Sequence, residues 1–106
     1  MRVLICGVGG IGSWLTEMIS QAYEQDQIDL SVTVEIADDD CVEPKNVRYQ
    51  NFVKEDVGTD KALALFKRIP YLAKAKCMRI RKKHLKGYDL IISCVDNFQT
   101  TLKTHT

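Results

Sequence analysis

"ICGVGGIGSW", Ile5–Trp14, places glycine at four of ten positions. Before it runs an apolar stretch, Val3, Leu4, Ile5 and Cys6. After it the apolar residues change to helical spacing, Ile11, Leu15, Met18, Ile19 and Ala22. A strand, a glycine turn and a helix together aim backbone N–H groups at a phosphate. Gly7, Gly9 and Gly12 fit G-x-G-x-x-G, and Gly10 adds a fourth glycine. These residues allow a tight turn, a close phosphate and a helix lying near the strand. A turn that holds nothing would look similar, but the strand before and the helix after favour a nucleotide loop.

Working outward, Arg2–Cys6 reads as a buried central strand, apolar on both sides, and residues 11–25 as a helix. Leu30–Ala37 alternates, with Val32, Val34 and Ile36 on one face and Thr33 and Glu35 on the other. It runs into three aspartates, Asp38, Asp39 and Asp40. Residues 39–58 have no clear period and contain Pro44, Asn46, Asn51 and Gly58. A connection that long is functional or ordered by short turns. Thr59 or Asp60 caps an expected helix to about Pro70, with Ala62, Leu63, Phe66 and Ile69 inward. Cys77–Arg81 suits an edge strand, and Asp89–Val95, "DLIISCV", a buried one. The series predicts an α/β protein: a Rossmann-like, open, mostly parallel sheet with helices packed on it.

At 106 residues the chain is expected to form one domain, 1–106, and 45% apolar residues is ordinary for a globular core. A net charge of +1 favours no class of charged partner. Lys74–Lys86 holds eight Lys, Arg or His residues. It has no stacking aromatics, so it reads as a charged sheet edge and no nucleic-acid partner is expected. No apolar run approaches the ~20 residues of a membrane span, so no membrane role is expected. Cys6, Cys41, Cys77 and Cys94 show no CxxC pair and no zinc spacing. Reduced thiols and a cytoplasmic location are expected, with Cys6 and Cys94 in the core.

In such a sheet ligands sit at the carboxyl ends of the strands. Three stretches fall there: Gly7–Gly12, Asp38–Asp40, and Asp96 with Asn97. Asp38, 26 positions after Gly12, suits ribose hydroxyls, with Asp40 a second candidate; NAD and ATP would use it alike. Lys61, in the first turn of the second helix, can meet a phosphate as a mobile charge. Asp96, past a buried strand, can hold Mg²⁺ beside phosphate oxygens and water. A surface lysine and a helix cap are the plainer readings of those two.

"GVGGIGS" (Gly7–Ser13), "DDDCVEPKNVRYQ" (Asp38–Gln50), "VGTDKA" (Val57–Ala62) and "CVDNFQTT" (Cys94–Thr101) occur in the order of a known pattern. The sequence resembles the ubiquitin-activating-enzyme-like family, which includes the ThiF, MoeB and HesA adenylyltransferases. Its members show a glycine loop, D-x-D-x-V, N-x-x-R-Q, G-x-x-K and C-x-D-N-x-x-T-R. The resemblance implies ATP and Mg²⁺ as cofactors. It also implies activation of the C-terminal carboxylate of a ubiquitin-like or sulfur-carrier protein as an acyl-adenylate. By position, Gly10 would lie in the phosphate loop and Asp38 on the ribose, with Asn46 and Gln50 near the nucleotide. Lys61 would contact phosphate and Asp96 would bind Mg²⁺. The family's homodimeric habit implies a second copy or a sister subunit.

The sequence departs from the pattern at two arginines, replaced by Tyr49 and Thr101. Arg48, beside Tyr49, is the candidate stand-in as a catalytic group. The second half that family members carry is not in the sequence, so a fragment, a degenerate copy or half of a split protein is expected. Two other readings stay open: an NAD(P)-binding module of a dehydrogenase or redox sensor, and a catalytically degenerate interaction domain.

Overall fold

The computed structural model describes residues 1–95. The chain runs β1 (Arg2–Cys6), α1 (Gly10–Glu24), β2 (Thr33–Ala37), α2 (Lys61–Arg68), β3 (Leu72–Lys76) and β4 (Leu90–Ser93). The four strands form one parallel sheet in the order β3-β2-β1-β4. This is the Rossmann-like α/β architecture that the sequence predicts. β1 pairs in register with both neighbours, Ile5 facing Ile36 on one side and Ile92 on the other. Its buried run Val3–Cys6 follows from that central place.

The upper face of the sheet carries the main core. Val3, Ile5, Val34 and Ile36 pack against Tyr23 of α1 and Ala62, Leu65 and Ile69 at α2. α1 docks through small and polar residues: Gly12, Ser13, Thr16 and Ser20 are buried. Their hydroxyls are satisfied by backbone, Thr16 Oγ1 donating to Gly12 O at 2.7 Å and Ser20 Oγ to Pro70 O at 2.8 Å. The apolar residues at helical spacing are therefore not all inward. Ile11 is 77% exposed and Met18 63%. α2 is turned similarly: Leu65 is fully buried, whereas Phe66, expected inward, is exposed.

The lower face holds Leu4, Cys6 and Ala37 under Ile80, Leu85 and Tyr88. These covering residues come from the β3–β4 connection. The edge strand therefore lies earlier than expected, at Leu72–Lys76 rather than Cys77–Arg81. Pro70 closes the helix region, Tyr71 turns the backbone at φ +73°, and the strand starts at once. The apolar residues after it are needed as a lid. Beneath that lid Glu35 is buried. It accepts from Arg2 Nη2 at 2.9 Å and from Tyr88 Oη at 2.6 Å, with Lys76 Nζ at 3.8 Å. The Arg2 guanidinium lies 4.4 Å over the Tyr88 ring.

The long connection 39–58 is ordered by two 3₁₀ turns, Pro44–Asn46 and Lys54–Asp56. Arg68 of α2 ties it down, donating to Asn51 O at 2.7 Å and to Asp56 Oδ2 at 3.3 Å.

Candidate functional site

The chain steps from β1 outward to β2 and β3, then returns to place β4 on the other side of β1. Ligands enter such sheets where the order reverses, above the carboxyl ends of the strands. A cleft of about 340 Å³ lies there. Cys6, Ala37 and Ser93 form its floor, Gly7, Gly9 and Gly10 one wall, and Asp38–Asp40, Gln50 and Lys61 another.

Close packing shapes the glycine wall. Gly7 has φ +90°, and a Cβ there would lie 3.0 Å from Val95. A Cβ on Gly12 would meet Gly7 O at 1.8 Å. Gly12 is thus a packing glycine beneath the cleft rather than part of its lining. Gly10 differs: a Cβ there would meet nothing within 4 Å, so its backbone borders open space.

Asp38 braces this wall. Its Oδ2 accepts from Val8 N at 2.8 Å and its Oδ1 from Asp40 N at 2.8 Å. Burial pushes its carboxyl up, with the Asp40 charge adding, while the two backbone donors pull it down; the net direction is upward. The carboxylates of Asp38, Asp39 and Asp40 lie within 4.8 Å of one another. Lys61, in the first turn of α2, is buried, with its ammonium 3.9 Å from Asp40 Oδ2. A buried ammonium with one distant carboxylate has donors to spare for an anion.

Gln50 packs against Gly9, where a Cβ would lie 3.3 Å from its amide. Gln50 Oε1 and Ser93 Oγ are buried oxygens without a hydrogen-bond partner among the described residues. Both residues line the cleft. Burying a polar atom unpaired is costly, so two such atoms in one cavity fit a polar ligand.

Asn46 and Arg48 do not line the cleft. Asn46 is buried and shapes the loop, its Oδ1 accepting from Glu43 N at 2.8 Å and its carbonyl from Gln50 N at 2.9 Å. It acts on the cleft by fixing the backbone of Gln50. Arg48 is exposed with φ +78°. Asp96, Asn97 and Thr101 lie outside the described residues. Met78, Arg79 and Ile80 line the cleft from beyond β3, and sequence reasoning missed them as site residues. The basic stretch pointed to a solvated edge, and only the shift of β3 toward the N-terminus brings this tripeptide to the strand ends. Among the described residues Arg79 makes no hydrogen bond or ion pair.

A parallel α/β sheet with a glycine-walled cleft at its strand-order reversal defines the class of Rossmann-like nucleotide-binding domains. The sequence matches the ThiF family over residues 1–104. The chain belongs to that family, and is by that membership a nucleotide-binding, adenylyltransferase-like domain. No curated protein matches it. Among the described residues no helix is long and apolar enough to cross a membrane.

Proposed function

We propose that residues 1–106 are the ATP-binding part of an adenylyltransferase that activates the C-terminal carboxylate of a ubiquitin-like or sulfur-carrier protein. A carboxylate oxygen attacks the α-phosphorus of ATP, the acyl–O–P bond forms, and the bond to the β-phosphate breaks with release of pyrophosphate. The observation that carries this reading is one cleft shared by the glycine loop, Asp38 and the buried Lys61. Nucleotidyl transfer depends chiefly on positioning and charge neutralisation, and this cleft has groups for both.

Gly9 and Gly10 take the phosphates against open backbone. Asp38, already held by the loop, offers its remaining lone pairs to ribose hydroxyls. Gln50 Oε1 and Ser93 Oγ gain partners from the bound nucleotide. Lys61 neutralises phosphate charge, and Arg79, which lines the cleft, adds a guanidinium to a sequence in which Tyr49 and Thr101 replace the family arginines. Asp96 is the proposed Mg²⁺ ligand; magnesium, when bound, supplies phosphate charge neutralisation. Arg48 is assigned to the partner-facing loop, where it would meet the incoming carrier tail. A second copy or a sister subunit is proposed to complete the assembly.

Calorimetry with Mg-ATP tests the binding step. Saturable heat is expected, at least about tenfold weaker in Lys61→Met, because a charge-assisted contact to phosphate is lost. Carrier-dependent ATP–pyrophosphate exchange tests the chemistry. No heat with ATP but saturation with NAD would replace this reading with a dinucleotide module. ATP binding without exchange would make the chain an interaction domain.

A further inference from the structure

The net charge of +1 conceals a division of charge along the chain. Residues 1–60 hold twelve Asp or Glu and four Lys or Arg, whereas residues 61–88 hold ten Lys or Arg and no acid. The fold gathers much of the second set on one side. After β3 the chain crosses the lower face of the sheet, where Ile80, Leu85 and Tyr88 pack against Leu4, Cys6 and Ala37. With those three turned inward, Arg79, Arg81, Lys82, Lys83 and Lys86 are left exposed. The segment is ordered. Its 3₁₀ turn, Lys82–His84, is closed by Arg81 N donating to His84 Nδ1 at 2.8 Å and His84 N to Arg81 O at 2.8 Å. The basic groups therefore stand on a fixed platform.

The acids beside this platform are already engaged. Glu35 binds Arg2, Tyr88 and Lys76, and Asp89 Oδ2 accepts from Arg2 N at 2.7 Å. Among the described residues Arg79, Arg81, Lys83 and Lys86 form no ion pair. Blunting of a sheet edge accounts for Lys74 and Lys76, which lie on β3. It does not account for the five basic residues after the strand. Solubility is served by mixed signs, whereas a field of one sign steers a partner of opposite charge.

The position of the platform selects the partner. One end of it, Met78, Arg79 and Ile80, lines the cleft, so a molecule docked here lies against the cleft mouth. Nucleic acid would find no stacking surface, because the ring of Tyr88 is covered by the Arg2 guanidinium at 4.4 Å. A membrane would find little to insert, because Ile80 and Leu85 face the sheet.

We propose that the β3–β4 connection, residues 77–89, is a docking face for an acidic surface of a partner protein. The identity of that protein as the carrier rests on the adenylyltransferase reading above. Carboxylates of the partner pair with Arg81, Lys83 and Lys86, while its tail passes Arg79 into the cleft. Pairs of this kind set the rate and orientation of encounter more than the final affinity.

The probe is a fluorescein-labelled oligo-glutamate peptide, added to the full chain without nucleotide and followed by anisotropy. Saturable binding is expected at low salt. It should weaken at least about tenfold as ionic strength rises from about 0.01 M to about 0.1 M, which shortens the Debye length from about 30 Å to about 10 Å. Lys83→Glu/Lys86→Glu should also weaken it at least about tenfold, since like charges brought together oppose docking. Lys45→Glu/Lys54→Glu changes net charge equally but lies outside the face, and should leave binding within about twofold. Circular dichroism and urea melts check that both double variants are folded. On the unsubstituted chain, carbodiimide should couple the peptide's carboxylates to Lys82, Lys83 or Lys86, located by peptide mass spectrometry. No binding, equal weakening in the two double variants, or coupling at Lys45, Lys54 or Lys67 instead overturns the proposal. Tighter binding of an oligothymidylate of equal charge, or of phosphatidylserine vesicles, gives the face to nucleic acid or membrane and overturns it too. Peptide binding by a chain that gives no heat with Mg-ATP would support the face and remove the carrier as its partner. Heat with Mg-ATP but no peptide binding would overturn the face and leave the adenylyltransferase reading standing.

Discussion

Gly10 and Gly12 lie two positions apart in the first turn of α1 and are held to opposite requirements. At Gly12 a methyl group would sit 1.8 Å from Gly7 O, a backbone atom that cannot swing aside. At Gly10 a methyl group would meet nothing. Gly12→Ala should therefore cost about 3 kcal/mol or more, at or beyond the upper end of overpacking penalties, read from urea melts. Gly10→Ala should leave stability unchanged or raise it by up to about 1 kcal/mol, the helix preference of alanine over glycine. It should nonetheless weaken ATP, because the new methyl group would fill the space proposed for phosphate. A nucleotide affinity unchanged in Gly10→Ala would count against the phosphate loop. The glycine pattern was legible in the sequence; the different work of its members was not, because it depends on which neighbour each Cα meets after folding.

Among the elements, α1 and α2 show where reading by apolar period falls short. Both helices and three of the four strands could be anticipated from run length and period, and β1 coincides with its expected limits, while the edge strand lies at Leu72–Lys76 instead of Cys77–Arg81. Which face turns inward was harder to read. α1 lies close to the sheet on glycine, serine and threonine, whose hydroxyls bond to backbone, so larger apolar residues such as Ile11 and Met18 are left outside. In α2 the buried Lys61 and Leu65 share a face four residues apart, which turns Phe66 away. Leu65→Ala should cost about 2–5 kcal/mol as a fully buried truncation. Phe66→Ala should cost less than about 1 kcal/mol, as exposed sites do. Equal losses in denaturant melts would contradict this orientation. The site was legible to the same extent: the glycine loop, Asp38, Asp40, Gln50 and Lys61 reach the cleft. Arg79 was hidden by the misplaced edge strand, and Asn46 proved to shape the loop.

On the scale of the whole molecule, one carboxylate joins distant parts of the chain. Glu35 of β2 binds Arg2 of β1, Tyr88 of the β3–β4 connection and Lys76 of β3. Burial raises its pKa, but the Tyr88 and Arg2 hydrogen bonds and the charges of Arg2 and Lys76 outweigh it, leaving it below the usual 4.5. A carboxyl lowered in the folded state stabilises above its unfolded value, and that share is lost as pH falls through the lowered native value. Asp38, raised mainly by burial from 3.8, works the other way: its share is present in acid and lost as pH rises through its raised native value. Stability measured by urea melts should therefore fall below about pH 4.5 in the unsubstituted chain, the usual acid loss of paired carboxylates. Glu35→Gln should be less stable at neutral pH and lose less on acidification. An acid slope unchanged by Glu35→Gln would remove Glu35 as the group responsible.

The contact between Gly12 and the Gly7 carbonyl also limits how the loop can vary. No single replacement at position 12 can succeed while that carbonyl stays in place, and the carbonyl is held by a left-handed residue that itself abuts Val95. Change there needs several concerted substitutions, so drift in this protein should collect in the outer rim and leave the floor of the turn as it is.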